Sequence, residues 1–281
     1  MGKIHRMIGM TWVDVEALDK ARTVVLLPLS PIEAHGPHLP VGTDILAASD
    51  VADLAAEMAS SSDPTLELVL APPIPLGCAD VTADFPGTIS LNGQTLFSVV
   101  RDICSALAAS GFRHIVICNH HLDPIHMKAI LSAADRVGEQ HGIGIVETAS
   151  RIHYGGMETE DEKLGRAMGL DMKMEIHADV KETSYIQHRH PGLLKGNVGL
   201  LPPVLIDVKA AMRNGEKTFR RMGAREGYLG SPSLASESLG RIHLESQAAS
   251  TAELALLLAN GGDLPVIDPR YLRFLEERVG W

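Results

Sequence analysis

The chain has 281 residues, of which 45% are hydrophobic and 21% are charged, so it is long enough to bury a sizeable core. Its formal net charge of −10 disfavours nucleic acid and anionic membranes as main partners. The three cysteines stand singly without a CxxC pair, and no apolar run reaches the ~20 residues that a membrane span requires. We therefore expect a cytoplasmic protein with reduced cysteines and no signal peptide.

Short apolar runs alternate with helical patterns in the first half of the chain. The runs at 22–27, 66–70, 115–118 and 143–147 predict buried strands. The intervening patterns predict helices at 43–60 with Thr43 as N-cap, at 94–109 and at 126–137. This alternation predicts an α/β fold, with a mostly parallel central sheet flanked by helices in a single domain over 1–281.

The second half has a less regular pattern. Residues 157–174 are charged and predict a helix or a lid, whereas Gly, Pro and polar residues predict a loop at 187–203. Apolar periodicity predicts helices at 207–222 and 245–258, the latter ending at Asn-Gly-Gly.

Histidine and carboxylate side chains follow two of the predicted strands. Glu33 and His35 come after the first strand, and His121 and Asp123 come after the third. Residues i and i+2 of an extended chain point the same way, and the carboxyl ends of parallel strands meet at a crevice. Asp44, at the start of the next helix, can turn back toward them. This set suits zinc, manganese or iron(II), although a histidine-rich surface loop is the alternative.

The segment 27–44, LPLSPIEAHGPHLPVGTD, resembles the opening motif of the creatininase (creatinine amidohydrolase) family, Glu-x-His-Gly-x-His-Leu-Pro followed by Asp. Four later segments resemble further family motifs: DFPGTISL at 84–91, GFRHIVICNHHLD at 111–123, HADVKETS at 177–184 and GYLGSPSLASESLG at 227–240. The resemblance spans about residues 21–260.

The resemblance implies a creatininase-like α/β/α fold and two divalent metal ions, zinc, manganese or iron. Glu33, Asp44 and His121 would hold one ion. His35, Asp44 and Asp123 would hold the other, so that Asp44 bridges the two. His38, in the same motif, is not expected to be a ligand.

Two residues of the HADVKETS segment are candidates for catalysis. By the resemblance, His177 and Glu182 would line the site or transfer protons as general acid and base. The alternative is that Glu182 and its neighbours cap a helix or orient the ligands.

The residues expected to face the substrate differ from the family pattern. Family members commonly carry Ser and His before the residue equivalent to Phe85, and creatininase closes its pocket with tryptophans from the middle of the chain. Here the tryptophans are Trp12 and Trp281, at the two ends. We therefore expect a small amide, cyclic amide or formamide other than creatinine. Four positions are predicted to contact it: Cys78, Ala79, Thr82 and Leu122.

Three other functions remain open. Some relatives resemble peptidases of cofactor maturation, and a deformylase of a ring-opened purine or pyrimidine would need the same chemistry. The altered positions Ala79, Thr82, Leu122 and Asp179 also fit a metal-binding or regulatory protein without catalysis, and His120 stands where family members usually have Gly. As partners we expect a small-molecule amide, no nucleic acid, no membrane and further copies of the chain, with the apolar helix 252–258 as a candidate interface.

Overall fold

The computed structural model describes residues 3–280. Five strands form one sheet in the order β1-β3-β2-β4-β5, and every neighbouring pair is parallel. The strands are β1 (Lys3–Arg6), β2 (Thr23–Pro28), β3 (Glu67–Leu70), β4 (His114–Cys118) and β5 (Gly144–Glu147).

Helices connect the strands and fill the second half of the described chain. The α-helices are α1 (Trp12–Glu16), α2 (Thr43–Ser62), α3 (Gly93–Ala109), α4 (Pro124–His141), α5 (Thr148–Tyr154), α6 (Glu160–Ala167), α7 (Val180–Arg189), α8 (Val208–Arg213), α9 (Phe219–Met222), α10 (Glu237–Asn260) and α11 (Pro269–Arg278). Short 3-10 helices lie at Met7–Gly9, Asp80–Thr82, Pro191–Leu193, Val198–Leu200 and Pro232–Leu234.

Both faces of the sheet are covered, because alternate side chains of each strand point to opposite sides. On one face Val25 and Ile115 pack with the apolar sides of α3 and α4. On the other, Val24 and Val116 pack with the small residues of α2 and α10. Burial on both faces explains why the strands at the centre of the sheet are continuous apolar runs instead of alternating ones.

The predicted α/β fold with a parallel central sheet is confirmed, but some predicted details are wrong, among them the extent of one helix and the N-cap of another. The helix predicted at 207–222 is two short helices, α8 and α9, separated at Gly215, whose φ of +91° no helix can hold. The N-cap of α2 is Gly42 and not Thr43, because the Thr43 hydroxyl donates backwards to the Pro40 carbonyl. None of the helices within residues 3–280 has the length and hydropathy of a membrane span.

The order of the strands positions the functional residues. From β2 the chain crosses through α2 to β3 on one side, whereas from β4 it crosses through α4 to β5 on the other. The connections therefore diverge between β2 and β4, and the crevice beyond such a divergence is where open α/β sheets bind ligands.

Candidate metal centre

Six buried or nearly buried side chains converge beyond β2 and β4. The loop after β2 contributes Glu33 and His35, the first turn of α2 contributes Asp44, and the loop after β4 contributes His121. His177 precedes α7, and Glu182 lies in its first turn. Sequence reasoning placed all six at the site, but it did not indicate which atoms face one another.

His35 is oriented by a backbone carbonyl. Its Nδ1 lies 3.0 Å from the Glu33 carbonyl oxygen and donates to it. Its Nε2 is then free to face Asp44 Oδ1 at 3.1 Å and Glu182 Oε2 at 3.6 Å. An imidazole held in this way keeps its Nδ1 proton on the carbonyl and can exchange its Nε2 proton for a metal ion.

His121 has the same arrangement with its ring nitrogens exchanged. Nε2 donates to the Cys78 carbonyl oxygen at 2.9 Å. Nδ1 faces Glu33 Oε1 at 2.9 Å and Asp44 Oδ2 at 3.2 Å. Asp44 therefore directs one carboxylate oxygen at each of two imidazoles, as a bridging ligand between two ions would.

His177 is the third imidazole of the cluster. Its Nε2 donates to the Ala34 carbonyl oxygen at 2.8 Å, and its Nδ1 lies 3.7 Å from Glu33 Oε1. The backbone carbonyls of Glu33, Ala34 and Cys78 thus fix all three rings. Sequence reasoning missed these partners, because a carbonyl is present at every residue and carries no sequence signal.

The donor set fits divalent metal ions. Three buried atoms, Glu33 Oε1, His35 Nε2 and Asp44 Oδ2, have no hydrogen-bond partner within residues 3–280. Such atoms cost free energy unless they bind something. Three overlapping groups have ligand atoms within 4.8 Å of one another: Glu33, Asp44 and His121; His35, Asp44 and Glu182; and Glu33, His35 and His177.

The electrostatics of the cluster reflect its burial. Burial disfavours the charged imidazole of His35, but Asp44 and Glu182 outweigh it and raise the pKa of His35 to about 10. Burial raises the pKa of Glu182 to about 8 and lowers that of His177. Against the opposing effect of burial, His35 and His121 hold the pKa of Asp44 well below its usual range. The carboxylates therefore require nearby positive charge, from protonated imidazoles or from metal ions.

Asp123, predicted as a ligand of the second ion, is absent from the three groups found in the described chain. It is the N-cap of α4, and its Oδ1 accepts from Ile125 N at 2.8 Å and from His126 N at 3.4 Å. His38 is also outside the groups, with Nε2 2.9 Å from the Thr183 hydroxyl.

The four positions predicted to contact the substrate differ in exposure. Cys78, Ala79 and Thr82 are completely buried, whereas the Leu122 side chain is 37% exposed. The Thr82 hydroxyl donates to Glu33 Oε2 at 2.6 Å. Thr82 therefore orients a candidate ligand, and its contact with Glu33 explains why this position is polar.

These features define a class of protein: an α/β fold with a buried histidine–carboxylate cluster at the switch point of a parallel sheet. Within that class, the family model for creatininase (creatinine amidohydrolase) matches residues 9–255, and the chain belongs to the creatininase family.

Two curated relatives match shorter stretches. The chain is 32% identical to a creatinine amidohydrolase of Pseudomonas putida over 120 residues, 41% of this chain and 44% of that enzyme. It is 37% identical to a mycofactocin precursor peptide peptidase of Mycolicibacterium smegmatis over 73 residues, 26% of this chain and 29% of that one. The matched stretch thus spans less than half of either relative.

Solved creatininase structures share the fold. A manganese form superposes with a TM-score of 0.68 at 23% identity, covering 89% of this chain and 97% of that chain. A zinc–zinc form of a creatininase variant superposes with a TM-score of 0.67 at 24% identity, covering 88% and 95%.

Proposed function

We propose that this chain is a metal-dependent amidohydrolase that uses two divalent ions to cleave a C–N bond of a small amide, cyclic amide or formamide. The observation that carries the proposal is Asp44, whose two oxygens face His35 and His121 at 3.1 and 3.2 Å. One ion would be held by Glu33, Asp44 and His121, and the other by His35 and Asp44 with a further carboxylate. Bound there, the ions would polarise the amide carbonyl and activate water.

The protein's own groups would prepare and complete this chemistry. The carbonyl partners of the three imidazoles keep their ring nitrogens directed at the centre before any ligand arrives. Burial lowers the pKa of His177, so its Nδ1 is neutral near pH 7 and can accept a proton released during hydrolysis. The Ala34 carbonyl holds the opposite nitrogen and thereby fixes the direction of that transfer.

The metal is proposed to be zinc, manganese or iron, because imidazole and carboxylate donors suit all three. Creatininases are known in manganese and zinc–zinc forms, which favours the first two for this chain.

The aromatic residues favour a substrate other than creatinine. Trp12 is 74% exposed and lies in α1, on the segment between β1 and β2, and Trp281 lies outside the described residues. Without the tryptophans of such a clamp, a flat ring would lose about 0.5–1.5 kcal/mol for each stacking contact.

A peptidase is the second candidate, and the similarity to the mycofactocin precursor peptide peptidase favours it. A deformylase and a metal-binding protein without catalysis complete the alternatives.

One experiment separates these functions. Enzyme reconstituted with zinc, manganese or iron is assayed on small amides, cyclic amides, formamides, creatinine and short peptides, with Asp44→Ala as the matched control. We expect metal-dependent turnover of a small amide or formamide that Asp44→Ala lacks. Fastest turnover of creatinine would refute the substrate argument, and cleavage of peptides alone would establish the peptidase. Tight metal binding without any turnover would favour the binding protein.

We also propose that the chain acts in the cytoplasm as a homo-oligomer on small molecules, and not on nucleic acid or membranes. The net charge of −10 supports small molecules over nucleic acid and anionic membranes as binding partners.

Helix α10 offers a candidate surface for contact between copies. Leu254 and Ala255 are buried in the core, whereas Leu256 and Leu257 line a shallow groove against α2. The groove is a candidate contact between copies, and sedimentation velocity of wild type and Leu256→Glu tests it.

A further inference from the structure

The orientation of His121 depends on two neighbouring residues. Its Nε2 donates to the Cys78 carbonyl oxygen at 2.9 Å, which sets the direction of the ring. The side chain of Asn119 holds the backbone of His121: Oδ1 accepts from His121 N at 3.0 Å, and Nδ2 donates to His121 O at 2.8 Å. The metal-facing nitrogen of His121 is therefore placed only as precisely as Cys78 and Asn119 are.

A further imidazole, that of His126, connects these two neighbours. His126 is completely buried in the first turn of α4, three positions beyond the segment 111–123 that resembles a family motif. Its Nδ1 accepts the backbone N–H of Cys78 at 3.2 Å. Because a backbone N–H only donates, Nδ1 carries no proton, and Nε2 carries the proton of the ring. Nε2 lies 3.2 Å from Asn119 Oδ1 and donates to it, so one tautomer satisfies both bonds.

The ring of His126 is closely packed against the same parts of the chain. A Cβ at position 77 would lie 2.6 Å from His126 Nδ1, so the backbone before Cys78 approaches the ring because residue 77 is glycine. The rings of His126 and His121 meet edge to face, with centroids 4.9 Å apart and planes at 85°. His126 thus contacts both a candidate ligand and the loop that orients it.

We propose that His126 is a positioning residue that fixes the metal-facing nitrogen of His121 through two separate hydrogen-bonded routes. One route runs through the backbone of Cys78 to the ring of His121. The other runs through the Asn119 side chain to the backbone of His121. The inference rests on the proposed dinuclear centre, and it gives a role to a buried histidine outside the three ligand groups of the described chain.

Isosteric variants separate the two routes. His126→Asn places an amide oxygen near the position of Nδ1 and can still accept from Cys78. His126→Gln places an amide nitrogen near the position of Nε2 and can still donate to Asn119. His126→Met fills the space and keeps neither bond. Ile130→Ala is the matched control, because Ile130 is also completely buried in α4 but packs in the apolar core.

Metal affinity, measured by competition with a chromophoric chelator, reports on the position of the ligand. In His126→Met we expect one of the two ions to bind roughly 10- to 100-fold more weakly, as after loss of other groups that orient ligands. His126→Asn and His126→Gln each keep one route, so their affinities should lie between those of His126→Met and wild type. With cobalt(II), the visible absorption of one site should shift. Ile130→Ala should lower the thermal midpoint but bind both ions like wild type.

Amide hydrogen exchange of the metal-free protein gives a second readout, with circular dichroism to verify folding. The His121 N–H donates to Asn119, so it should exchange faster in His126→Met than in wild type or Ile130→Ala. Unchanged exchange of His121 or unchanged metal affinity in His126→Met would overturn the inference, as would Asn and Gln variants that both bind metal no better than His126→Met. Fewer than two ions in wild type would instead refute the dinuclear centre on which the inference rests.

Discussion

At the scale of single residues, Asp44 has the largest predicted effect on the centre. Its two oxygens face different imidazoles, so Asp44→Ala would remove a ligand from both ions at once. Glu33 contacts His121 at 2.9 Å and lies 3.9 Å from His35, so Glu33→Ala would affect mainly one ion.

We therefore predict that Asp44→Ala binds no metal after dialysis, whereas Glu33→Ala retains about one ion per chain. Elemental analysis of both variants beside wild type measures this difference. If Asp44→Ala kept both ions at full occupancy, the bridging role would be wrong.

Thr82 gives a second prediction at this scale. Its hydroxyl donates to Glu33 Oε2 at 2.6 Å from a completely buried position. Thr82→Val keeps the shape of the side chain but removes the donor, and loss of such a ligand-orienting bond weakens metal affinity roughly 10- to 100-fold.

Competition with a chromophoric chelator measures the affinity, and Thr251→Val is the matched control. Thr251 is equally buried in α10 but is not among the residues of the cluster, so its variant should bind metal like wild type. An unchanged metal affinity in Thr82→Val would show that the Thr82 hydroxyl does not orient Glu33 for metal binding.

Most residues of the cluster could be predicted from the sequence, because local patterns of spacing and strand position point to them. Glu33 and His35 share an i, i+2 spacing, and His121 directly follows a recognisable strand, so their approximate positions follow from the strand pattern. The contact of Glu182 with His35 depends on how α7 packs against α10 and α2, which no local pattern encodes. Asp123 stays ambiguous from the sequence, because the same residue type serves both as a metal ligand and as a helix cap.

At the scale of elements, the four short apolar runs were recognisable as strands because burial on both faces leaves a continuous signal. β1 was missed: the four residues of KIHR are mostly exposed at the edge of the sheet and carry no apolar run. α10 begins at Glu237, eight residues before the predicted start. Its first two turns, capped by Ser236, are mostly polar and include His243, which tertiary contacts bury.

The segment predicted to be a helix or a lid is held in place by a buried pair. Asp161 of α6 and His243 of α10 lie 2.7 Å apart, Oδ2 to Nδ1, and are 1% and 4% exposed. Burial alone would raise the pKa of Asp161, but His243 outweighs it and holds that pKa below the usual range. The pair therefore stabilises the packing of α6 on α10 while Asp161 is ionised.

A pH dependence follows from this pair. Because the folded-state pKa is lowered, the stabilisation is complete above the unfolded-state value of about 3.9 and is lost as the pH falls further. Asp161→Asn lacks the charge at every pH. Its free energy of unfolding at pH 7 should therefore be about 1–3 kcal/mol lower than that of wild type. Urea unfolding at pH 7, 5 and 3.5 should show this gap shrinking at the lowest pH. If Asp161→Asn and wild type had equal free energies of unfolding at pH 7, the pair of Asp161 and His243 would not stabilise the fold.

At the scale of the whole molecule, the centre joins parts of the chain that are far apart in sequence. The loop after β2, α2, the loop after β4 and the start of α7 each contribute a charged or imidazole group to one buried space. Without a cation, this arrangement places the carboxylates of Glu33, Asp44 and Glu182 close together, which opposes folding. Metal ions that bind only the folded chain shift the equilibrium toward it.

We therefore predict that removing metal with a chelator lowers the thermal midpoint, and that restoring zinc or manganese recovers it. Free metal at 100 times its dissociation constant stabilises the folded state by about 2.7 kcal/mol, which corresponds to roughly 5–10 °C for a chain of this size. Asp44→Ala is the control. Its thermal midpoint should be the same with and without metal, because both ions lose the ligand that they share. If Asp44→Ala showed the same metal-dependent rise as wild type, the stabilising ions would have to bind outside this centre.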